Sequence, residues 1–360
     1  MDNEELIKAT AELNDCKDFL SLLNHILVEE RGDRVSLFSQ KQLLFFSNIS
    51  CNKRLYKTFT IPKKSGGCRQ ILAPERNLKE MQRCLNRILQ AMYQAPSCAN
   101  GFIPHRSIAH NASIHVGNKY VFNTDLKDFF TSITYDNVYK SLIIRPFEFP
   151  AIIARTIAGL CCTEINIDGQ SQFALPQGAP TSPIVANIVC LPLDRKCAGL
   201  ARRFSASYSR YADDITFSCD KNAFFPGSDF MLEFQRIIES QFFCINHTKD
   251  RVQNYAGRQE VTGVVVNKKV NVSKQYIRDL DNLLFIWERY GREMAKIKYC
   301  HHHPEARGRQ GFDKSFERII IGRLNYLRMI RGKDDHLYQK LSSRLNSLLL
   351  SHTSKVKSLQ

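Results

Sequence analysis

The chain is short of acids, of long apolar runs and of paired cysteines, and each shortage excludes a class of protein. Among 360 residues, Asp and Glu number 35 against 51 Lys and Arg, a formal charge of +16. That imbalance points to a polyanionic partner, most simply nucleic acid. No apolar run approaches the ~20 residues that span a bilayer, so the sequence predicts a soluble protein with no membrane partner. The 12 cysteines are scattered. Cys161 and Cys162 are adjacent, but there is no CxxC spacing and no secretory signal, which predicts reduced thiols in a cytoplasmic protein. Repeats and low-complexity linkers are missing as well, and the length suffices for a large core and two or three subdomains.

The acids that remain fall in telling places. Ser207 to Cys219 alternates polar and apolar residues around Tyr211-Ala212-Asp213-Asp214, which predicts two short strands folded at a turn with both carboxylates at the tip. Most Asp-Asp pairs are solvated turn residues. Two adjacent acids repel each other, however, and a divalent cation would relieve that repulsion and fix their direction. Upstream, the β-favouring run Tyr120-Val121-Phe122-Asn123-Thr124 predicts a strand that delivers Asp125 at its C-terminal end. Asp125, Asp213 and Asp214 are the candidate metal ligands.

The cations form the complement. Tyr56 to Ile71 predicts a hairpin with a basic Gly-Gly turn, and Lys63, Lys64 and Arg69 at its tip suit a triphosphate, a solvated basic turn being the alternative. Residues 251–360 hold 22 basic and 10 acidic side chains, so +12 of the +16 lies in the last third. There Ile277, Leu280, Leu284 and Trp287 share one helical face, Phe316, Ile319, Ile320, Leu324 and Leu327 a second, and Leu337, Leu341, Leu345 and Leu348 a third. A three-helix basic bundle is expected, with Arg323, Arg328 and Arg331 gripping phosphates unless this is an ordinary solvated face. His301 to His303 follow Cys300, but four consecutive residues do not converge tetrahedrally on zinc, and a polar loop is expected.

The remainder predicts scaffold. Glu4 to about Asn48 is helical, with a stripe of Leu20, Leu22, Leu23, Ile26 and Leu27 and a second segment at Leu43, Leu44 and Phe45. Asn77 to Tyr93 predicts a core helix through Leu78, Met81, Leu85, Ile88 and Leu89. Tyr135 to Leu142, Ala151 to Leu160 and Asp229 to Ser240 are helical, and Asp168-Gly169 is a turn. Leu175 to Pro183 is a loop opening a helix, with Thr181 or Ser182 as N-cap, and Pro192 should end or kink that helix. Glu260 to Val266 is a β-like run. One acid at a strand end, two at a hairpin tip, a cationic fingertip and a basic bundle together suit templated phosphoryl transfer. In that chemistry two Mg²⁺ ions about 3.5–4 Å apart assist the attacking 3′-oxygen and the leaving pyrophosphate.

Three ordered motifs carry a resemblance. Thr124-Asp125-Leu126-Lys127-Asp128-Phe129-Phe130, Leu175-Pro176-Gln177-Gly178-Ala179-Pro180-Thr181-Ser182-Pro183 and Tyr211-Ala212-Asp213-Asp214 resemble the palm motifs of reverse transcriptases, and Tyr56 to Ile71 resembles their fingers. Asn111-Ala112-Ser113-Ile114-His115 and Val261-Thr262-Gly263 resemble the two signatures of retron reverse transcriptases. Ile321-Gly322-Arg323-Leu324-Asn325-Tyr326 and Arg331-Gly332-Lys333 resemble the thumb of bacterial members. The likeness runs from about Leu55 onward, and the chain, like retron enzymes, stops soon after the thumb without maturase or endonuclease extensions.

The resemblance implies an α+β right-hand polymerase: an N-terminal helical extension (1–50), fingers (51–110), a palm of antiparallel sheet and helices (111–265) and a basic, RNA-binding helical thumb (266–360). It implies that Asp125, Asp213 and Asp214 hold two Mg²⁺ ions, with Mn²⁺ as an alternative, that Phe130 is the steric gate against a ribose 2′-OH, and that Gln177 and Gly178 line the nascent base pair. Lys249 matches a candidate general acid for pyrophosphate. Asn111 and His115 are either direct RNA contacts or a structural hydrogen-bonding pair, and Val261-Thr262-Gly263 either meets the RNA or primer end or is a core strand. The implied activity copies a cognate structured non-coding RNA into short single-stranded DNA from deoxynucleoside triphosphates. Retron enzymes start from the 2′-OH of an internal guanosine and work beside a separate effector protein in anti-phage defence. Alternatives are a group II intron-like or other defence reverse transcriptase, an untemplated DNA-synthesising polymerase, and a catalytically dead RNA-binding module.

Overall fold

The computed structural model describes residues 1–62, 66–167, 169–303 and 312–357, with backbone alone at 312–315 and 351–357. Lys63, Lys64 and Asp168 lie outside the described residues. The chain divides into two compact units, 1–106 with 122–252, and 107–121 with 253–360. These units follow packing and cut the chain at other places than the four expected segments.

In the first unit, Asp2 and Asp15 close capping boxes on helices Asn3–Ala11 and Cys16–Arg31. The second of these buries Phe19, Leu22, Leu23, Ile26 and Leu27, so Phe19 takes the core position expected of Leu20. Helix Gln40–Ser47 buries Leu43 and Phe46. The expected Leu44 and Phe45 are instead exposed, because a helix turns 100° per residue and three successive residues cannot share a face. Strands β1 (Tyr56–Pro62) and β2 (Cys68–Pro74) form the expected antiparallel hairpin. Helix Arg76–Met92 buries all five of its predicted core residues, and with them Gln82, whose amide donates to the Leu160 carbonyl at 2.8 Å and the Tyr56 hydroxyl at 2.9 Å.

The sheet that organises this unit has the order β6-β7-β3-β8, with β3 at Tyr120–Asp125, β6 at Ser207–Tyr211, β7 at Asp214–Cys219 and β8 at Arg251–Asn254. A separate hairpin joins β4 (Thr163–Ile167) to β5 (Gln170–Ala174). Helix Asp229–Ser240 lays Phe230 and Phe234 on Phe217 of β7, edge to face at 5.0 and 5.3 Å between ring centres, and Phe234 also meets Phe122 of β3 at 5.9 Å. Helix Ser182–Val189 starts after Thr181, but neither candidate side chain caps it. The Ser182 hydroxyl instead donates to the Pro176 carbonyl at 2.6 Å, tightening the loop that precedes the helix. Pro192 acts as expected: the helix stops at Val189, and a second, Leu191–Arg203, begins with the proline in its first turn.

In the second unit the run from Glu260 to Val266 is not one strand. It folds at Thr262-Gly263, both with positive φ (48° and 78°), into the short hairpin β9 (Glu260–Val261) and β10 (Val264–Val265). Among the described residues four helices follow, at Lys274–Tyr290, Arg292–His302, Phe312–Arg331 and His336–Lys357, where three were expected. Gly291, at φ 88°, ends the first and opens the second, and His301 and His302 form the last turn of that extra helix rather than a loop. Leu280, Leu284, Trp287, Phe316, Ile320, Leu324, Leu327, Leu341 and Leu345 interlock as one core with Ala112, Val121, Val261 and Val264.

Gly159 tests the tight packing of the first unit. A Cβ on it would overlap the Ser47 carbonyl oxygen and approach the Ser47 Cα to 3.1 Å. An exposed helical Gly→Ala change gains about 1 kcal/mol. Here the sign reverses: Gly159→Ala should lose about 1–3 kcal/mol, read as a lower midpoint in thermal unfolding, and a raised midpoint would contradict this packing.

Candidate active site

Asp125 is the last residue of β3, and Tyr211 pairs with Asp214 across a two-residue turn of Ala212 and Asp213. The amide of Leu126, next after Asp125, donates to the Asp213 carbonyl at 3.1 Å, which ties the strand end to the turn. The sheet thereby draws the three expected carboxylates together. Asp125 is near enough to Asp213 and Asp214 to raise the proton affinity of both.

The electrostatics follow from this crowding. Burial, then the Asp125 charge, pushes Asp213 up to about 6. Burial, then the charges of Asp213 and Asp125, pushes Asp214 up to about 7. The Asp214 side chain nonetheless reaches solvent, so like-charge repulsion is the part of its shift that a bound cation relieves. Lys249 answers that repulsion, its Nζ donating to Asp125 Oδ2 at 2.7 Å. Burial alone would depress this ammonium, but the hydrogen bond to Asp125 and the charges of all three acids outweigh it and hold the group protonated beyond its ordinary range.

The segment carrying Lys249 is itself pinned. The Asn246 amide donates to the Asp125 carbonyl at 2.8 Å, and Asp250 takes the Thr124 hydroxyl at 2.6 Å and meets His247 Nδ1 at 2.8 Å. No three His, Cys, Asp or Glu side chains among the described residues form a preformed metal cage. The donor set still fits a hard divalent cation: it is all oxygen, anionic, mutually repelling and solvent-reachable through Asp214.

Phe129 is buried while Phe130 is half-buried, its ring 6.1 Å from that of Phe102. The Gln177 carbonyl accepts from the Leu72 amide of β2 at 2.9 Å, which joins the 175–183 loop to the β1–β2 hairpin. Gly178 has φ 128°, and a Cβ there would come within 2.8 Å of Ile71 Cγ2 and 2.9 Å of the Leu72 oxygen, so this approach requires glycine. Arg69 is exposed on β2.

In the second unit Asn111 and His115 are buried, and burial pushes His115 down to about 3, leaving it neutral. The helix carrying Asn111, Ile108–Ser113, packs on the β9–β10 hairpin, where Val261 is buried and Gly263 exposed. Arg331 is occupied within the chain, donating to Asp335 at 2.8 Å and to Asn271 at 3.1 Å. The Arg323 guanidinium lies over the Tyr276 ring at 5.0 Å, and Arg328 is exposed.

One group escaped sequence reasoning. Arg210 in β6 and Asp194 in helix Leu191–Arg203 are buried together, with the Asn187 side chain beside them. A signal existed: Asp194 stands in the stripe of Leu193, Cys197 and Ala201, and an acid in an apolar stripe needs a buried cation.

The family model described as reverse transcriptase (RNA-dependent DNA polymerase) matches residues 61–272. The chain is 40% identical over 233 residues to the retron Mx65 reverse transcriptase of Myxococcus xanthus, covering 62% of this chain and 53% of that protein. It is 36% identical over 231 residues to the retron Mx162 reverse transcriptase of the same organism, covering 59% and 47%. Against the retron Ec86 reverse transcriptase of Escherichia coli it is 30% identical over 266 residues, covering 72% and 77%. The chain spans about half the length of the first two relatives.

The crowding makes a prediction about stability. Asp213 has an ordinary pKa of 3.8 unfolded and about 6 folded, so the stability due to its neutral form is complete below 3.8 and lost as pH rises through 6. With a chelator present, Asp213→Asn should therefore melt above the parent at pH 8, and the gain should vanish by pH 4. An equal or lower midpoint at pH 8 would contradict the repulsion.

Proposed function

We propose that this chain, which belongs to the reverse transcriptase (RNA-dependent DNA polymerase) family, copies part of a cognate structured non-coding RNA into short single-stranded DNA, with the RNA itself supplying the priming hydroxyl. The observation that carries the reading is the convergence of Asp125, Asp213 and Asp214 with Lys249 at the β3 end and the β6–β7 turn. Likeness to retron reverse transcriptases, together with the Asn111 to His115 and Val261 to Gly263 signatures, supports the retron form of the activity.

Reverse transcriptases are generally divalent-metal dependent. Asp125, Asp213 and Asp214 would hold Mg²⁺, two ions in our reading with Mn²⁺ able to substitute, and these supply Lewis acidity to the attacking hydroxyl and charge neutralisation to pyrophosphate. The remaining work falls to the chain's own groups. Lys249 Nζ, kept protonated beside Asp125, gives its proton to the leaving pyrophosphate oxygen. The half-buried face of Phe130 fills the space a ribose 2′-OH needs, and the Gln177-Gly178 loop carries the nascent base pair. Arg69, with Lys63 and Lys64, meets the triphosphate.

In the second unit, exposed Arg328 and the Thr262-Gly263 turn meet RNA, while Asn111 and His115 support that turn from within. The subdomain division into fingers, palm and thumb, a cytoplasmic location and a role in anti-phage defence beside a separate effector protein belong to the same proposal. The free state of all the cysteines suits a reducing compartment.

The protein expressed with its neighbouring genomic non-coding sequence should yield a discrete DNA that shortens when a debranching enzyme cuts 2′,5′ linkages. DNA of random length, or matching no neighbouring RNA, would favour the untemplated polymerase. Phe130→Ala should raise ribonucleotide incorporation relative to deoxyribonucleotide by about tenfold or more, and an unchanged ratio in a folded variant would remove the gate.

A further inference from the structure

Arg210 is fully buried in β6, one residue before the Tyr211 to Asp214 turn. Its Nε and Nη2 donate to the two oxygens of Asp194 at 2.8 and 2.7 Å, and Tyr208 donates to the same carboxylate at 2.8 Å. That fork fixes the plane of the guanidinium. The remaining nitrogen, Nη1, is then aimed at two acceptors, Asn187 Oδ1 and the Ala212 carbonyl, both at 3.1 Å.

Ala212 is the turn residue between Tyr211 and Asp213, and it holds φ 58°, a left-handed conformation that a residue with a Cβ disfavours. Its other side is clamped too. A Cβ on Gly101 would overlap the Ala212 amide nitrogen, so the two backbones are in direct contact, and Asn187 Nδ2 donates to the Gly101 carbonyl at 2.9 Å. The backbone of Arg210 completes the frame, its amide donating to Cys98 and its carbonyl accepting from Asn100, each at 2.8 Å.

A buried Arg–Asp pair contributes little net stability, because desolvation offsets the attraction. What the pair does supply here is a fixed direction for the hydrogen bond to Ala212. We propose that Arg210, oriented by Asp194, is a positioning residue: it holds Ala212 in its left-handed turn and so aims the carboxylates of Asp213 and Asp214 against their mutual repulsion. The inference rests on the polymerase reading for its catalytic consequence. Its structural half, the pinning of the turn, stands without it.

Arg210→Lys separates the two. Lysine keeps a cation opposite Asp194, but a single ammonium cannot reach Asp194, Asn187 and Ala212 together. We expect the polymerisation rate per titrated active site to fall about tenfold or more, with the nucleotide KM within about twofold. Amide hydrogen exchange of the 211–214 peptide should accelerate by about tenfold while helix Leu191–Arg203 keeps its protection. Adding Ala212→Gly, which removes the left-handed penalty, should recover about threefold or more of the lost rate.

Where Arg210→Lys fails to fold, Asn187→Ala, which removes one anchor of Nη1 and leaves no unpaired charge, should show the same pattern with a fall of about threefold. An unchanged rate per active site overturns the proposal. So does exchange that quickens equally through 191–203, which makes Arg210 a general core brace. A parent protein that never extends a primer refutes the polymerase reading, and the 211–214 exchange still decides whether Arg210 pins the turn.

Discussion

Three carboxylates meet at the end of β3 and the β6–β7 turn, and the architecture around them works to keep like charges where they repel. Left to itself, the turn would splay or take up protons, and the upward shifts of Asp213 and Asp214 come from burial first and from the neighbouring carboxylates after it. The sheet opposes it through the Leu126 to Asp213 hydrogen bond, Lys249 opposes it with charge, and the buried Arg210 opposes it through the Ala212 carbonyl. Strain stored in this way is the expected mark of a site built for a ligand that the folded protein alone does not satisfy.

Much of this was legible because the local patterns are strong. Alternation fixed the β6–β7 hairpin and put Asp213 and Asp214 at its tip, and the β-rich run before Asp125 placed that acid at a strand end. Helix Arg76–Met92 was equally plain, since its five apolar positions keep one face. The misreadings have physical causes. Leu43, Leu44 and Phe45 form an apolar run without period, so which of them faces inward depends on the neighbouring helix Ala151–Cys161. The Glu260 to Val266 run is uniformly β-favouring, and only the positive φ at Thr262 and Gly263 splits it. Helix Arg292–His302 escaped because it carries no apolar stripe: Ala295 is its one buried residue, and Met294 and Ile297 are exposed. The Arg210–Asp194 pair joins positions on a strand and a helix, and single-chain periodicity carries no information about such a partnership.

Charge is spent differently in the two units. Of the expected phosphate-gripping arginines, Arg331 is committed to Asp335 and Asn271; Arg344, which was not among them, is likewise committed to Glu288 and Asp281, so neither meets RNA without giving up a partner. Arg328 remains exposed, and Arg323 keeps its guanidinium over an aromatic ring, the arrangement that base stacking also uses. Each such pair cancels in the net charge, so the excess of +12 in the last third is carried by basic side chains beyond these pairs.

If Asp125, Asp213 and Asp214 act together as a shared seat for divalent cations, the protein binds such an ion by itself. The most direct measurement is electron paramagnetic resonance of Mn²⁺ titrated into the purified protein without nucleic acid. The parent should bind Mn²⁺, give it up to Mg²⁺, and lose this binding when the three acids are changed together to Asn, as a shared seat requires. Equal Mn²⁺ binding by the parent and a folded triple variant would contradict it.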